Sequence, residues 1–414
     1  VTKDSRVDVL VVGAGLAGLA CARDLVAAGR GVRVLEAQDA VGGRMRTDIR
    51  DGFRLDRGFQ VVNTSYPQVE QRLALRPLRL RPFTPGVLID TPKGRRRFVD
   101  PSRAPRLAGD LLPGRLASVR DLAALTVLSA RALLLPPRTL LRGQDRTTLT
   151  ALAAAGFSQE FAETFWRPFL SGIFLEDELD TSSRYFQLVW RSMLRGTLCL
   201  PARGAGAVPQ RLAGDLPPDT VRLDTPVREL TDDGVVTDDG REHAARAVVV
   251  ATGPGAATRF LPDLRVPPTR SVTTYYHAPG SAPLAEPTLM VDSARRVLNT
   301  VVLTEVAPTY APRGESLVAT SVLGTGAPGA EAHVRPVLAE LYGVDTRDWS
   351  LVGTCSVAEA LPAMLPPWPL TRSTRWRPGR YVCGDHRATG SQQGALASGA
   401  RAAREVLADL ADLD

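Results

Sequence analysis

The sequence has few of the residues that mark several common functions. Its four cysteines, Cys21, Cys199, Cys355 and Cys383, lie far apart and form no C-x-x-C. That spacing argues against a disulfide framework and against a zinc site, so no metal is expected. Lysine is nearly missing: Lys3 and Lys93 are the only two, and arginine carries the net charge of +7. With abundant Ala, Gly and Pro, the imbalance reads as a GC-rich bacterial genome. No aromatic-plus-basic RNA signature accompanies it, so no nucleic-acid partner is expected. There is no apolar run of about eighteen residues, and hence no expected transmembrane helix. The stretch Val1 to Arg6 runs straight into an apolar strand and leaves no room for a signal peptide. A cytoplasmic location is the expectation.

What is present is the composition of a soluble globular protein, 44% hydrophobic and 23% charged. A chain of 414 residues can build two domains, each with its own core. The informative stretch comes first. Val7 to Val12 is apolar and β-branched and reads as a strand buried on both faces. Gly13, Gly15 and Gly18 follow as G-x-G-x-x-G. Leu16 to Ala28 reads as a helix stopped by Gly29, and Val32 to Leu35 as a second strand closed by Glu36. Gly13 permits the tight turn, Gly15 lets backbone approach a pyrophosphate, and Gly18 lets the helix pack on the strand. Free N–H groups and the helix dipole favour a phosphate at the helix start. The Glu36 carboxylate can accept from both ribose hydroxyls and disfavours a 2′-phosphate, so NADP is not expected here.

Ala37 leads into Gly42-Gly43-Arg44, a second glycine pair that can add a cation to a diphosphate. From the first glycine loop through this G-G-R, the chain resembles the flavoprotein superfamily of amine oxidases, phytoene-type desaturases and protoporphyrinogen oxidase. The resemblance implies FAD on an α/β fold, and with no covalent-flavin cysteine motif around Cys355 or Cys383 the cofactor is expected to be noncovalent. That fold is a Rossmann-like, glutathione-reductase-type FAD-binding domain with an inserted α+β substrate domain. Implied FAD contacts in the first segment are Gly13, Gly15, Leu16, Ala17, Gly18, Glu36, Ala37, Gly42, Gly43 and Arg44. A D-x-G stretch similar to the family's adds Gly58, Phe59 and Gln60. Val227 would meet the adenine, and Ala251-Thr252-Gly253 resembles the family's A-T-G, adding Thr252 and Gly253. Near the end, Gly384-Asp385 and Gln393-Gly394-Ala395 match the segment at the far end of the flavin.

Between these motifs the pattern is less specific. Phe53 to Val62 alternates as a strand broken at Gly58, and Ser65 reads as a helix cap. Arg76 to Arg106 is basic and proline-rich, with hairpin strands either side of Thr91-Pro92-Lys93-Gly94. Leu122 to Leu135 is a strongly apolar helix. A basic patch beside such a helix could dock on anionic lipid. The favoured reading is a solvated hairpin and a core helix. Phe161, Phe165, Phe169 and Phe174 recur at helical spacing and read first as core, second as the lining of a substrate cavity. With Tyr185, Phe186 and Trp190 they suit a helical lid. Strands are expected near 271–277, 296–303 and 316–323. The expected division is discontinuous: 1–70, 196–260 and 372–414 bind FAD, while 71–195 and 261–371 bind substrate.

The resemblance implies hydride removal from a largely apolar or aromatic small molecule to flavin N5, with oxygen or another acceptor regenerating the cofactor. Candidate catalytic residues are His386 and Tyr276, ahead of Tyr275 and His277. Many amine oxidases of the superfamily hold a lysine near flavin N5. Leu298 to Leu303 resembles that strand, with Thr300 in the lysine's place. Three readings follow: C–C or C–N dehydrogenation, oxygen-using amine or amino-acid oxidation without the lysine, or a non-redox flavin protein such as an isomerase or scaffold.

Overall fold

A computed structural model describes residues 7–111 and 117–412. Its first unit is the β–α–β frame, with β1 over Val7–Val12, α1 over Leu16–Ala27 and β2 over Val32–Leu35. β1 pairs in parallel with β2 on one side and with Glu242–Val250 on the other. Val221–Arg222 and Arg380–Val382 extend this parallel sheet outward. Both faces of β1 are covered, which its unbroken apolar run required: Val9, Leu10 and Val11 are fully buried. The strand Glu242–Val250 also turns an antiparallel edge to Gly234–Thr237, giving a mixed eight-stranded sheet.

Glycine sets how tightly the helices lie on this sheet. A Cβ on Gly18 would stand 2.0 Å from the Gly13 carbonyl oxygen. A Cβ on Gly399, in the last helix Gln392–Ala411, would stand 2.1 Å from the Ala17 carbonyl oxygen. The first and last helices are therefore in backbone contact. Their shared core holds Leu19, Leu25, Leu396 and Val406.

A second sheet of seven strands lies beyond, ordered Ser350–Pro362, Thr269–Ala278, Val318–Leu323, Asn299–Val302, Leu289–Asp292, Gly86–Asp90, Arg96–Val99. Its strands are antiparallel except where Leu289–Asp292 meets Gly86–Asp90. The strand Ser350–Pro362 stays paired with Thr269–Ala278 to its C-terminal end, and Val357 to Leu361 on it reach the loops of the first sheet.

Phe161, Phe165 and Phe174 are sealed in an aromatic core with Phe157, Trp166, Phe186 and Trp190, and Phe169 packs against it, so the first reading of this stripe, as core, holds. Trp166 meets Trp190 at 5.0 Å and Phe186 at 5.5 Å, in the edge-to-face geometry aromatic quadrupoles favour. Ser65 does not cap a helix. The helix Pro67–Arg72 has Tyr66 at its N-cap, and Ser65 Oγ donates to the Ser192 carbonyl. The apolar helix, observed over Val119–Leu134, is core on one side only: Ala132 is buried and Leu122, Leu125 and Leu128 pack on the aromatic core, while its other side is exposed.

Candidate active site

Four parallel strands end side by side, and their next residues converge. β1 leads to Gly13, β2 to Glu36, Glu242–Val250 to Thr252, and Arg380–Val382 to Gly384. Open α/β sheets bind ligands at this edge, where strand C-termini and helix N-termini meet. Here these loops wall a cavity of about 720 Å³.

The glycine loops are interlocked. The Gly42 amide donates to the Ala14 carbonyl at 2.9 Å, and Gly15 and Gly42 form a parallel bridge. Gly42 has φ +122°, and a Cβ there would sit 2.4 Å from the Met45 carbonyl oxygen. Only glycine closes this turn. By contrast, a Cβ on Gly15 would meet nothing within 4 Å, so open space lies directly over that backbone. α1 begins at Leu16 with no side-chain cap and no acid in its first turn. Its leading amides and dipole therefore face the cavity uncompensated.

Glu36 is buried and already bound. Its Oε2 accepts from the Ala14 amide at 2.7 Å and its Oε1 from the Gln38 amide at 3.0 Å. Each oxygen keeps a lone pair for a further donor. Arg44 spans the cavity: it donates to the Ala360 carbonyl at 2.8 Å and to Asp385 Oδ1 at 2.7 Å. Burial pushes its pKa down, but the charge and hydrogen bond of Asp385, and then the charge of Glu359, outweigh that and hold the guanidinium above its usual range. Arg44 was expected to serve a diphosphate; its observed partners are protein groups on the far wall.

The last helix also opens here. Ser391 is its N-cap and accepts from the Gly394 amide at 3.0 Å, while the Ala395 amide donates to the Ser391 carbonyl. The amides of Gln392 and Gln393 remain without an acceptor among the described residues. Gln392 donates to the Val61 carbonyl at 2.9 Å, and its Oε1 is buried with no partner.

Of the expected contacts, the wall carries Gly13, Gly15, Leu16, Ala17, Glu36, Ala37, Gly42, Gly43, Arg44, Gln60, Val227, Thr252, Gly253, Gly384, Asp385 and Ala395. Gly18, Gly58, Phe59, Gln393 and Gly394 do not line it. Gly18 is spent on helix packing, and the Phe59 ring turns away to meet Phe83 at 6.0 Å. The Gly394 amide is used by the cap, so the open amides lie one turn position earlier than expected. Wall residues the motifs did not indicate include Ser391, Gln392, Glu359, Ala360 and Arg259. Ser391 was findable, since a Ser before an alanine-rich run is a cap signal.

Both catalytic candidates fall elsewhere. Tyr276 is buried in the second sheet's core, where its hydroxyl donates to the Asp56 carbonyl at 2.5 Å. Burial first, then Asp56, pushes that phenol well above its ordinary range. His386 sits behind Gly384, fully buried, with neither ring nitrogen partnered. Desolvation lowers it to about 4 against the opposing pull of Asp385, so it is neutral at physiological pH. Tyr275 and His277 are also off the wall, and His277 Nε2 meets Glu331 at 2.7 Å. Thr300 points into a core, bonded to Thr320 and Tyr342. Lys93, the single lysine among the described residues, lies exposed on the hairpin beside Glu160. Among the described residues no cluster is placed to hold a metal ion.

The donor set fits a flavin dinucleotide. Uncapped α1 amides suit a diphosphate, the free lone pairs of Glu36 suit a ribose, and the orphaned Gln392 Oε1 awaits an N–H donor. These features define a dinucleotide-binding α/β protein with a second sheet closing one side of the site. The profile of the family described as flavin containing amine oxidoreductase matches residues 16–407, and the chain belongs to that family. Proteins of this family bind FAD.

Curated relatives match over short stretches. A putrescine oxidase of Kocuria rosea is 54% identical over 68 residues, 16% of this chain and 14% of that protein. A phytoene dehydrogenase of Streptomyces griseus is 45% identical over 82 residues, 18% and 16% of the two chains. Whole-fold matches are far more extensive. A putrescine oxidase triple mutant superposes with TM-score 0.71 at 19% identity, over 97% of this chain and 99% of that one. Cyclohexylamine oxidase from Brevibacterium oxydans gives TM-score 0.71 at 19% identity, over 98% and 99%. At such identities the likeness establishes the fold.

Proposed function

We propose that this chain binds FAD noncovalently along the cavity and removes hydride from a largely apolar small molecule at a C–C or C–N bond. The observation that carries the reading is convergence. The G-x-G-x-x-G loop, the G-G-R loop and the N-terminus of the last helix come from opposite ends of the chain and wall one cavity. When bound, FAD supplies the hydride acceptor at N5.

The protein's part is binding, orientation and exclusion of water. Leu16 and Ala17 offer amides to the diphosphate, and Glu36 orients the ribose. The amide of Gln392, at a helix N-terminus on the cavity wall, favours the negative charge that develops on a reduced ring. Val357, Ala360 and Leu361 contribute apolar wall, which keeps water from competing for the hydride. No cysteine, histidine or tyrosine lines the cavity among the described residues. That supports a noncovalent cofactor.

A second reading, oxygen-using amine oxidation, is favoured by the match to putrescine oxidase. One experiment separates them. Purified protein is expected to be yellow, and anaerobic exposure to amines, polyenes and porphyrinogens to bleach the flavin with one class. Peroxide formed with amines would select the second reading. A colourless protein that cannot be reconstituted with FAD would sink both, and a flavin that no reductant class bleaches would point to the non-redox alternative.

A further inference from the structure

The helix Val119–Leu134 wears its apolar residues on the outside. Val119 is 70% exposed, Val127 59%, Leu133 40% and Leu134 81%. With the exposed Ala123 and Ala130 they recur every three or four residues, forming one stripe along about 24 Å of helix. The opposite face is already used: Leu122, Leu125 and Leu128 pack on the aromatic core, and Ser129 accepts from the Trp190 indole at 3.2 Å. The stripe is therefore a second apolar face that folding leaves uncovered. Single exposed apolar residues need no explanation, but a contiguous stripe on one helix does.

The exposed charge between Val119 and Arg146 has one sign. Arg120 and Arg131 lie on the helix, and Arg138, Arg142 and Arg146 follow it; all five are exposed. None forms an ion pair among the described residues. The two acids of this region are turned inward. Asp121 is buried and accepts from Ser118 and from the Ser158 amide. Asp145 accepts from Ser182 and from the Arg184 amide.

We propose that this helix lies on an anionic lipid surface, its stripe in the interface and its arginines at the headgroups. Both terms of interfacial binding are present: outward apolar area and unpaired cations beside it. A second copy of the chain fits less well, because a two-fold contact through this face would set arginines against arginines. No helix among the described residues is long and apolar enough to cross a membrane, so the contact is peripheral. The proposal stands apart from the flavin reading, since it uses no residue of the cavity wall.

The test is co-sedimentation of the full chain with vesicles of phosphatidylglycerol mixed into phosphatidylcholine, against phosphatidylcholine alone. Partitioning to the anionic vesicles is expected to be at least about tenfold stronger and to weaken as salt rises. Val127→Gln with Leu134→Gln is expected to lower it about tenfold by removing apolar area. Arg138→Glu with Arg142→Glu is expected to do so by charge. Both pairs are exposed, and an unchanged melting curve verifies the fold. Wild-type protein that stays in the supernatant, or variants that bind as wild type does, would overturn the proposal. A wild-type dimer that V127Q/L134Q converts to monomer would overturn it in favour of a subunit interface.

Discussion

Arg44 spends its donors on the protein: the Ala360 carbonyl and Asp385 hold it across the cavity. It therefore joins the G-G-R loop to the end of Ser350–Pro362 and to the loop that precedes the last helix. Arg44→Ala is expected to weaken FAD binding roughly tenfold to a hundredfold, because Asp385 is left buried without its cation. Titration of apoprotein followed by flavin fluorescence measures this, and an unchanged affinity would contradict the role. Arg259 is the contrasting case. It lines the same wall, from the helix Pro254–Phe260, with no ion pair among the described residues. Its loss is expected to weaken FAD more than riboflavin, which lacks the diphosphate. Asp56 belongs to the same scale. Its carboxyl accepts from Thr47, the Ala205 amide at 2.9 Å and Tyr310 at 2.8 Å, and burial raises it to about 6. A raised carboxyl binds its proton more tightly when folded, so its contribution falls as pH rises from about 4 to about 6. Relative to Asp56→Asn, the wild type should lose about 2–3 kcal/mol across that window. Urea unfolding of both proteins at a series of pH values reads the difference directly; parallel curves would refute the shift.

At the scale of elements, the site is made by where strands stop. Four strands ending in register place four loops at one edge, and two helix N-termini complete it. The contact between the first and last helices holds these N-termini at a fixed separation. Gly399→Ala would set a methyl 2.1 Å from the Ala17 carbonyl oxygen, and neither backbone can yield cheaply. The expected cost is about 1–3 kcal/mol in chemical denaturation, with FAD affinity reduced alongside. A variant as stable as wild type would show that the helices can part without consequence. The helix Val119–Leu134 teaches a different point. Periodicity finds such a helix, but a residue run that is apolar nearly all round does not say which side is covered. Packing on the aromatic core decided that, and it left Leu134 in the open.

Over the whole molecule, the two sheets meet around the cavity, so a ligand there touches both. FAD added to apoprotein is expected to raise the unfolding midpoint, by about 2.7 kcal/mol of stabilisation at a hundredfold excess over its dissociation constant. A midpoint independent of FAD concentration would argue against binding at this junction. Much of this architecture was legible beforehand. The β–α–β frame and the strands near 271–277 and 316–323 follow from glycine spacing, alternation and helix stop signals, and the C-terminal end of the expected site follows from the family resemblance. These are local signals, because turn geometry and helix starts depend on neighbouring residues. Chain sequence by itself determined that a dinucleotide loop exists and that a flavoprotein family is its relative. Tertiary structure decided which side chains reach the cavity. Tyr276 and His386 are chemically able residues in suggestive stretches, yet one is pinned to Asp56 and the other is sealed behind Gly384. Gln392 and Arg259, in no motif, face the cavity instead. The reason is physical: a strand sends alternate side chains to opposite faces, and only long-range packing settles which face is empty.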